Sequence, residues 1–331
     1  MNFLNSIKPV ISFELQYNPR ISPRSSDYRK YIPDPYDCVV LISADFELAW
    51  AWRYSRRNSN SPFDLSIRRA RQERKNVPIL LSLCDKFNIP ITWATVGHLF
   101  LNSCSKENGI PHAHIKRIQY FENQWWQYTT GDWFDADPCG DMNENPEWYC
   151  PDLIKKILRS ETEHEIGCHT FSHIPCNDSL CPLEVLESEL IACQEAAKEF
   201  GLSLESFVFP GHTMGNYDTI KKMGFTSVRT NYVNVLGYPK LDENGIWCHE
   251  STMELLLNDN WPYWYNLYRY KKIIKKSIKR KMVCHFWFHP SLPQEAMHTL
   301  FRDVFSFLNT NRDRIWITTM KKYTDWLNSH Y

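Results

Sequence analysis

The sequence predicts an α/β fold of parallel strands joined by helical crossovers, and three observations carry that prediction. Short apolar, β-branched runs alternate with helical patterns along most of the chain. Several runs are apolar without interruption, as strands covered on both faces must be. Glycines close the helical patterns, Gly201 and Gly224 among them. At 331 residues, the usual domain size suggests two domains, yet α/β barrels of roughly 200–250 residues form one. One domain with insertions is the expectation for 37–331, preceded by a polar, Pro- and Arg-rich extension over 1–36.

The elements follow in order. Cys38–Ser43 reads as a buried parallel strand. A helical pattern covers Phe63–Phe87, with a break or kink expected at Pro78. Ile89–Gly97 is the second strand. The stretch 102–150 is acidic, aromatic and turn-rich, and reads equally well as a solvated insertion or as a loop over the binding face. A short helix starts at Pro151, and HEIGCH is the third strand. Pro182–Phe200 is a helix, ESFVFP a strand, Asn216–Met223 a helix and FTSVRT a strand. NGIWCHE and MVCHFWFHP are further strands, Gln294–Asn309 a helix, RIWITT a strand and Met320–Asn328 the last helix. Periodicity alone leaves an open sheet and a closed barrel both open.

Lys plus Arg and Asp plus Glu each total 38, so the formal net charge is zero and no overall electrostatic case for nucleic acid exists. Aromatics make up 15% of the chain, with 13 Trp; they fill cores and also stack on sugar rings. Eleven Cys, an odd number with no C-x-x-C pair, read as buried free thiols in a reducing compartment. With no signal-peptide or spanning stretch in view, the chain reads as cytoplasmic.

Candidate chemistry lies at strand ends, where parallel α/β folds place their binding faces. Asp45 and Glu47 follow the first strand, spaced so that both carboxylates can face one side. His169 and His173 follow the third, four apart, and share a face if that turn is helical. Pro210, Gly211 and His212 follow the fourth, and His289 ends MVCHFWFHP. Two imidazoles with a carboxylate form a common catalytic zinc set. His285, deeper on the same strand as His289, reads as a buried, hydrogen-bonded histidine. His112 and His114 read as surface-loop residues, and His98 carries no signal.

The stretches SADFELAW, HEIGCHTFSH, FVFPGHTMGNYDTIKKMGFTSVR and HFWFHP resemble the polysaccharide deacetylases, the metal-dependent carbohydrate esterases of family four. The likeness runs from about Cys38 to Asn328, and is to the branch whose first motif is Asp-x-Asp or Asp-x-Glu. It implies a distorted (β/α) barrel of seven or eight strands. It also implies one divalent metal ion, zinc before other metals, and hydrolysis of an acetyl group, usually N-acetyl, on a carbohydrate. Asp45 matches the general base, Glu47, His169 and His173 the metal triad, and His289 the general acid. Metal charge would keep Asp45 ionised, and a carboxylate partner would keep His289 protonated. The related branch carries an arginine after the proline of the third motif, where it orients the base. Here Gly211 stands in that place, leaving Arg229 or Arg53 to substitute in space. No Asp-Trp pairing marks the fourth motif, for which Trp247 is the candidate. The resemblance suits surface-polysaccharide or glycan biosynthesis. A catalytically silent carbohydrate-binding relative and an amidohydrolase on a non-sugar amide are the alternatives.

The segment 261–281 packs eight Lys or Arg behind a cluster of Trp and Tyr. Leu267, Tyr270, Ile274 and Ile278 fall on one helical face. It reads as a surface helix packed on the barrel, or as one that touches an anionic membrane peripherally.

Overall fold

The computed structural model describes residues 18–56, 61–231 and 233–330. The first half of the polar extension, 1–17, therefore lies outside the described residues. The sheet is organised around β1 (Cys38–Phe46), in which all nine residues are buried. The next strands are β2 (Thr92–Thr95), β3 (Glu165–Cys168), β4 (Ser206–Val208) and β5 (Ser227–Thr230). They are followed by β6 (Lys240–Leu241), β7 (Trp247–Glu250), β8 (Met253–Glu254), β9 (Val283–Phe288) and β10 (Ile315–Thr318). Their order across the sheet is β6-β7-β5-β4-β3-β2-β1-β9-β8, all parallel except β6 against β7. β10 pairs with the first half of β1 (Ile315↔Cys38) and β2 with its second half (Asp45↔Ala94).

Curvature follows from chain connectivity. β7 lies toward one edge of the sheet and β8 forms the other edge, yet only Ser251 and Thr252 separate them. Ser251 N–H donates to Thr230 O on one side and Thr252 N–H to His285 O on the other. The two edges must therefore meet, which curls the sheet into a distorted (β/α) barrel.

Strand parity sets what faces inward. Val40, Ile42 and Ala44 pack with the helices, while Val39 and Leu41 join Ala94, Val208, Trp247 and Val283 in a cluster inside the barrel. The inward parity of β1 continues through Ser43 to Asp45. On β9 it runs from Val283 through His285 and Trp287 toward His289, and on β5 it includes Arg229.

Helices α1 (Pro62–Phe87), α2 (Pro151–Leu158), α3 (Leu183–Lys198), α4 (Tyr217–Lys222), α5 (Tyr263–Arg280), α6 (Arg302–Thr310) and α7 (Met320–His330) cover the sheet. α1 runs unbroken through Pro78, so of the break or kink expected there the break does not occur; Val77, Leu80 and Leu81 are buried on both sides of the proline. α5 buries Tyr270, Ile273, Ile274 and Ile278. Residues 18–36 lie against the barrel: Arg20–Ile21 pairs with Val235–Leu236, Ile32 enters the interior cluster, and Tyr31 O accepts from the Tyr323 hydroxyl. Residues 102–150 form three pairs of two-residue strands linked by turns. No helix among the described residues is long and apolar enough to cross a membrane.

His249 provides a test of the interior. It is 2% exposed, its Nε2 lies 2.8 Å from Thr324 Oγ1, and burial lowers its pKa to about 3. The unfolded chain takes up this proton near pH 6.5 and the folded chain does not, so the residue removes stability as pH falls from 6.5 toward 3. Relative to His249→Gln, wild type should lose about 1.4 kcal/mol per pH unit across that window. Urea unfolding of both proteins at pH 7, 6 and 5 reads the difference; parallel stability curves would contradict it.

Candidate active site

Asp45 reaches the carboxyl end of the barrel from the inward face of β1. Arg229 holds it in a two-pronged fork, Nη1 to Oδ1 at 2.5 Å and Nη2 to Oδ2 at 2.8 Å. Arg229 Nη1 also donates to Ser43 Oγ at 3.0 Å, and Ser43 Oγ lies 2.9 Å from His285 Nε2. His285 is buried and hydrogen-bonded, as its sequence position suggests. Burial opposes ionisation of Asp45, but Arg229 outweighs it and holds the carboxyl below its usual range. Asp45 thus stays charged and oriented by Arg229.

Glu47 takes the other position. Its Oε1 is 3.1 Å from His169 Nε2 and 3.1 Å from His173 Nε2, and all three residues are buried. The two histidines do not share a helical face. The loop after β3 turns with Thr170 and His173 in the left-handed region (φ 56° and 62°), which brings both rings round to one carboxylate. Glu189 fixes this loop, accepting from Ser172 N–H at 2.7 Å and from Ser172 Oγ at 2.5 Å. Arg53 braces it through Ser172 O at 2.9 Å, so Arg53 serves the histidine loop and Arg229 serves Asp45.

The donor set fits a divalent cation. His169 Nδ1 is 2.7 Å from Val208 O, a carbonyl that can only accept, so the proton sits on Nδ1. In the neutral ring Nε2 then carries a lone pair aimed at a carboxylate oxygen. Burial lowers the pKa of His173 to about 4, which favours its neutral imidazole. Lone pairs converging in a buried space are reconciled by a cation, and two imidazoles with one carboxylate suit zinc and its neighbours.

His289 closes the group. Its Nε2 is 3.8 Å from Glu47 Oε2 and 3.9 Å from Asp45 Oδ2, and its Nδ1 is 3.7 Å from Glu254 Oε1. Burial works against its charged form, but Glu47, Glu254 and Asp45 outweigh burial and raise its pKa to about 9. Glu254 is the carboxylate partner that a protonated His289 requires.

Gly211, at φ 54°, explains the altered third motif: a Cβ there would run into the Trp126 ring. No arginine can stand at that position while Trp126 occupies the space. His212 lines the cavity beside it, with Asn231 Nδ2 3.0 Å from its Nε2; burial, then Arg229, lowers its pKa to about 3. Pro210 is buried at the foot of this turn. Trp247 is not brought to the site; it lies 1% exposed in the cluster inside the barrel, its Nε1 donating to Asn328 Oδ1 at 2.8 Å.

Two residues escape the sequence reading. Glu73 on α1 is 1% exposed and accepts the N–H groups of Glu47 and Leu48, each at 3.1 Å, fixing the left-handed turn at Leu48 (φ 47°). Burial and the charge of Glu47 push its pKa well above the ordinary carboxylate range. Glu254 sits on β8, a two-residue strand too short for periodicity to reveal.

Above these groups opens a cavity of about 430 Å³. Trp52, Trp125, Trp126 and Trp287 wall it, with Asn231, Asn234, Asn258, Arg69 and Arg269 among its polar lining.

No protein-family model matches the chain, and no curated protein matches it. Solved structures do. A protein assigned as a polysaccharide deacetylase from Mycobacterium smegmatis aligns with TM-score 0.61 and 15% identity, covering 95% of this chain and 96% of that one. One assigned likewise from Pseudomonas aeruginosa PAO1 gives TM-score 0.61 and 12% identity, over 93% of this chain and 95% of that one. The Puue allantoinase gives TM-score 0.59 and 11% identity, over 93% and 94%. At these identities the likeness is one of fold: the chain has the distorted (β/α) barrel of the polysaccharide deacetylases.

Proposed function

We propose that this chain is a metal-dependent hydrolase that removes an acetyl group, N-acetyl in the first instance, from a carbohydrate. One observation carries the reading. Glu47, His169 and His173 converge as a ligand set beside an arginine-held Asp45 and a carboxylate-flanked His289, at the base of a tryptophan-walled cavity. A divalent metal held by Glu47, His169 and His173, zinc in this proposal, would supply Lewis-acid polarisation and acidify water. The remaining work falls to the chain. Asp45, kept ionised by Arg229, takes the proton of the attacking water at a carboxylate oxygen. His289, kept protonated by Glu254, gives a proton to the departing amine nitrogen. The tryptophans offer flat apolar faces for sugar rings, and the asparagines and arginines offer donors for hydroxyl and amide groups.

A silent relative would lack a guanidinium beside the base, and Arg229 offers one to Asp45 from another strand. The amidohydrolase reading draws on the allantoinase of similar fold. Acetate release from N-acetylated amino-sugar oligomers, run beside a panel of small ureides and formamides with added zinc or cobalt, separates the two. Acetate from the sugars is expected, with Arg229→Lys lowering kcat about 100-fold or more by misaligning the base. Turnover of the small amides without acetate from any sugar would sink the carbohydrate reading.

We also propose that the chain works in the cytoplasm on a glycan of surface-polysaccharide or glycan biosynthesis, near an anionic membrane. Its eleven cysteines are free thiols. At the start of α5, Trp264 is 67% and Tyr268 50% exposed, with Lys271, Lys272, Lys275 and Lys276 following on the same helix. Liposomes containing acidic lipid should sediment the protein more than neutral ones, and Trp264→Ala should weaken this; equal recovery on both would contradict it.

A further inference from the structure

The insertion between β2 and α2 holds a second convergence of donor atoms. His98 follows β2; Cys104, His112 and Asp137 come from the insertion. His98 Nε2 and His112 Nε2 each lie 3.0 Å from Asp137 Oδ2, and Cys104 Sγ lies 3.5 Å from the same oxygen. One donor atom from each of the four residues lies within 4.8 Å of the others. His98, His112 and Asp137 are 0%, 7% and 1% exposed. The sequence reading put His112 at the surface and gave His98 no role; the structure buries both, leaving His114 outside.

The hydrogen bonds leave this cluster short of a positive centre. His98 Nδ1 is 3.1 Å from Trp148 O, a carbonyl that can only accept, and its buried Nε2, 3.0 Å from Asp137 Oδ2, makes no well-aligned hydrogen bond to that oxygen. Asp137 Oδ1 already accepts from Cys139 N–H at 2.9 Å and from the Tyr149 hydroxyl at 3.4 Å. That leaves Oδ2 facing two imidazole nitrogens and a thiol. The backbone is bent to build the arrangement: His112 and Cys139, neither of them glycine, sit at φ 47° and 51°.

We propose that His98, Cys104, His112 and Asp137 form a second metal site, a closed structural zinc site that clamps the insertion to the end of β2. Four protein ligands without an open position mark a structural rather than a catalytic site. Imidazole and thiolate donors select zinc over magnesium or calcium. The segment's regular structure is only three pairs of two-residue strands, so a clamp would add to the apolar packing of Ile115, Ile118, Trp133 and Phe134. The clamp also reaches the cavity. Trp126, on the same insertion, bridges to Ser55 and packs edge-on to His173 with ring centroids 5.4 Å apart. Holding the insertion thus holds one wall of the pocket. The site stands independently of the activity proposed above.

Sulfur separates the two sites experimentally, because Glu47, His169 and His173 offer none. The full chain, stripped of metal and reloaded with Co²⁺, should show thiolate-to-cobalt charge-transfer absorption in the near ultraviolet. A His169→Ala/His173→Ala variant should keep that absorption and Cys104→Ser should lose it. Zinc-loaded wild type should hold about two ions per chain by mass spectrometry, and each variant about one. The wild-type cobalt spectrum needs no substitution, so misfolding of a variant cannot rescue the proposal. Absence of the absorption from wild type, or its survival in Cys104→Ser, would overturn it. So would a disulfide between Cys104 and Cys139, whose sulfurs are 3.1 Å apart.

Discussion

The Arg229–Asp45 fork is the contact on which the rest of the site depends. Both side chains are nearly fully buried, at 2% and 3% exposure, so neither charge is tolerable without the other. Removing one partner of such a pair costs about 3–5 kcal/mol, because the survivor is left uncompensated. The fork occupies both oxygens of Asp45, while Glu47 lies against the two histidines. Ser43 and His285 continue the same polar column down the barrel, turning the middle of an otherwise apolar interior into a rigid platform.

That platform arises from strand parity. The alternation that points Val39 and Leu41 inward also points Ser43 and Asp45 inward, one pleat after another toward the carboxyl end. The matching parity on β5 delivers Arg229 from across the sheet, and on β9 it delivers His289. This is why groups nearly 250 residues apart in sequence meet within one cavity.

Much of this is legible in the chain, and the unreadable part has physical reasons. Strand–helix alternation gives parallel strands, and strand ends mark Asp45, Glu47, His169, His173 and His289 as neighbours. Closure of the barrel is not local, because it depends on a two-residue link between opposite sheet edges. Arg229 and Arg53 are both candidates for the missing guanidinium, and nothing in the strand FTSVRT says which of the two faces the carboxylate on another strand. Glu73 hides in an arginine-rich helix whose charges read as solvated, and Glu254 in a strand of two residues. The His-x-x-x-His spacing suggests a helical turn, whereas left-handed residues at Thr170 and His173 achieve the convergence instead. The turn-rich insertion reads equally as solvated loop or as a loop over the binding face, and its cluster escapes notice because His98, Cys104, His112 and Asp137 are spread over some forty residues.

The central claim is the division of labour between the two acids of the first motif. Anomalous diffraction from crystals of the zinc-loaded protein tests it most directly. A peak within bonding distance of Glu47 Oε1, His169 Nε2 and His173 Nε2, with Asp45 still forked on Arg229, is the predicted result. A metal bound to Asp45 with Arg229 displaced, or no peak between Glu47 and the two histidines, would contradict the account.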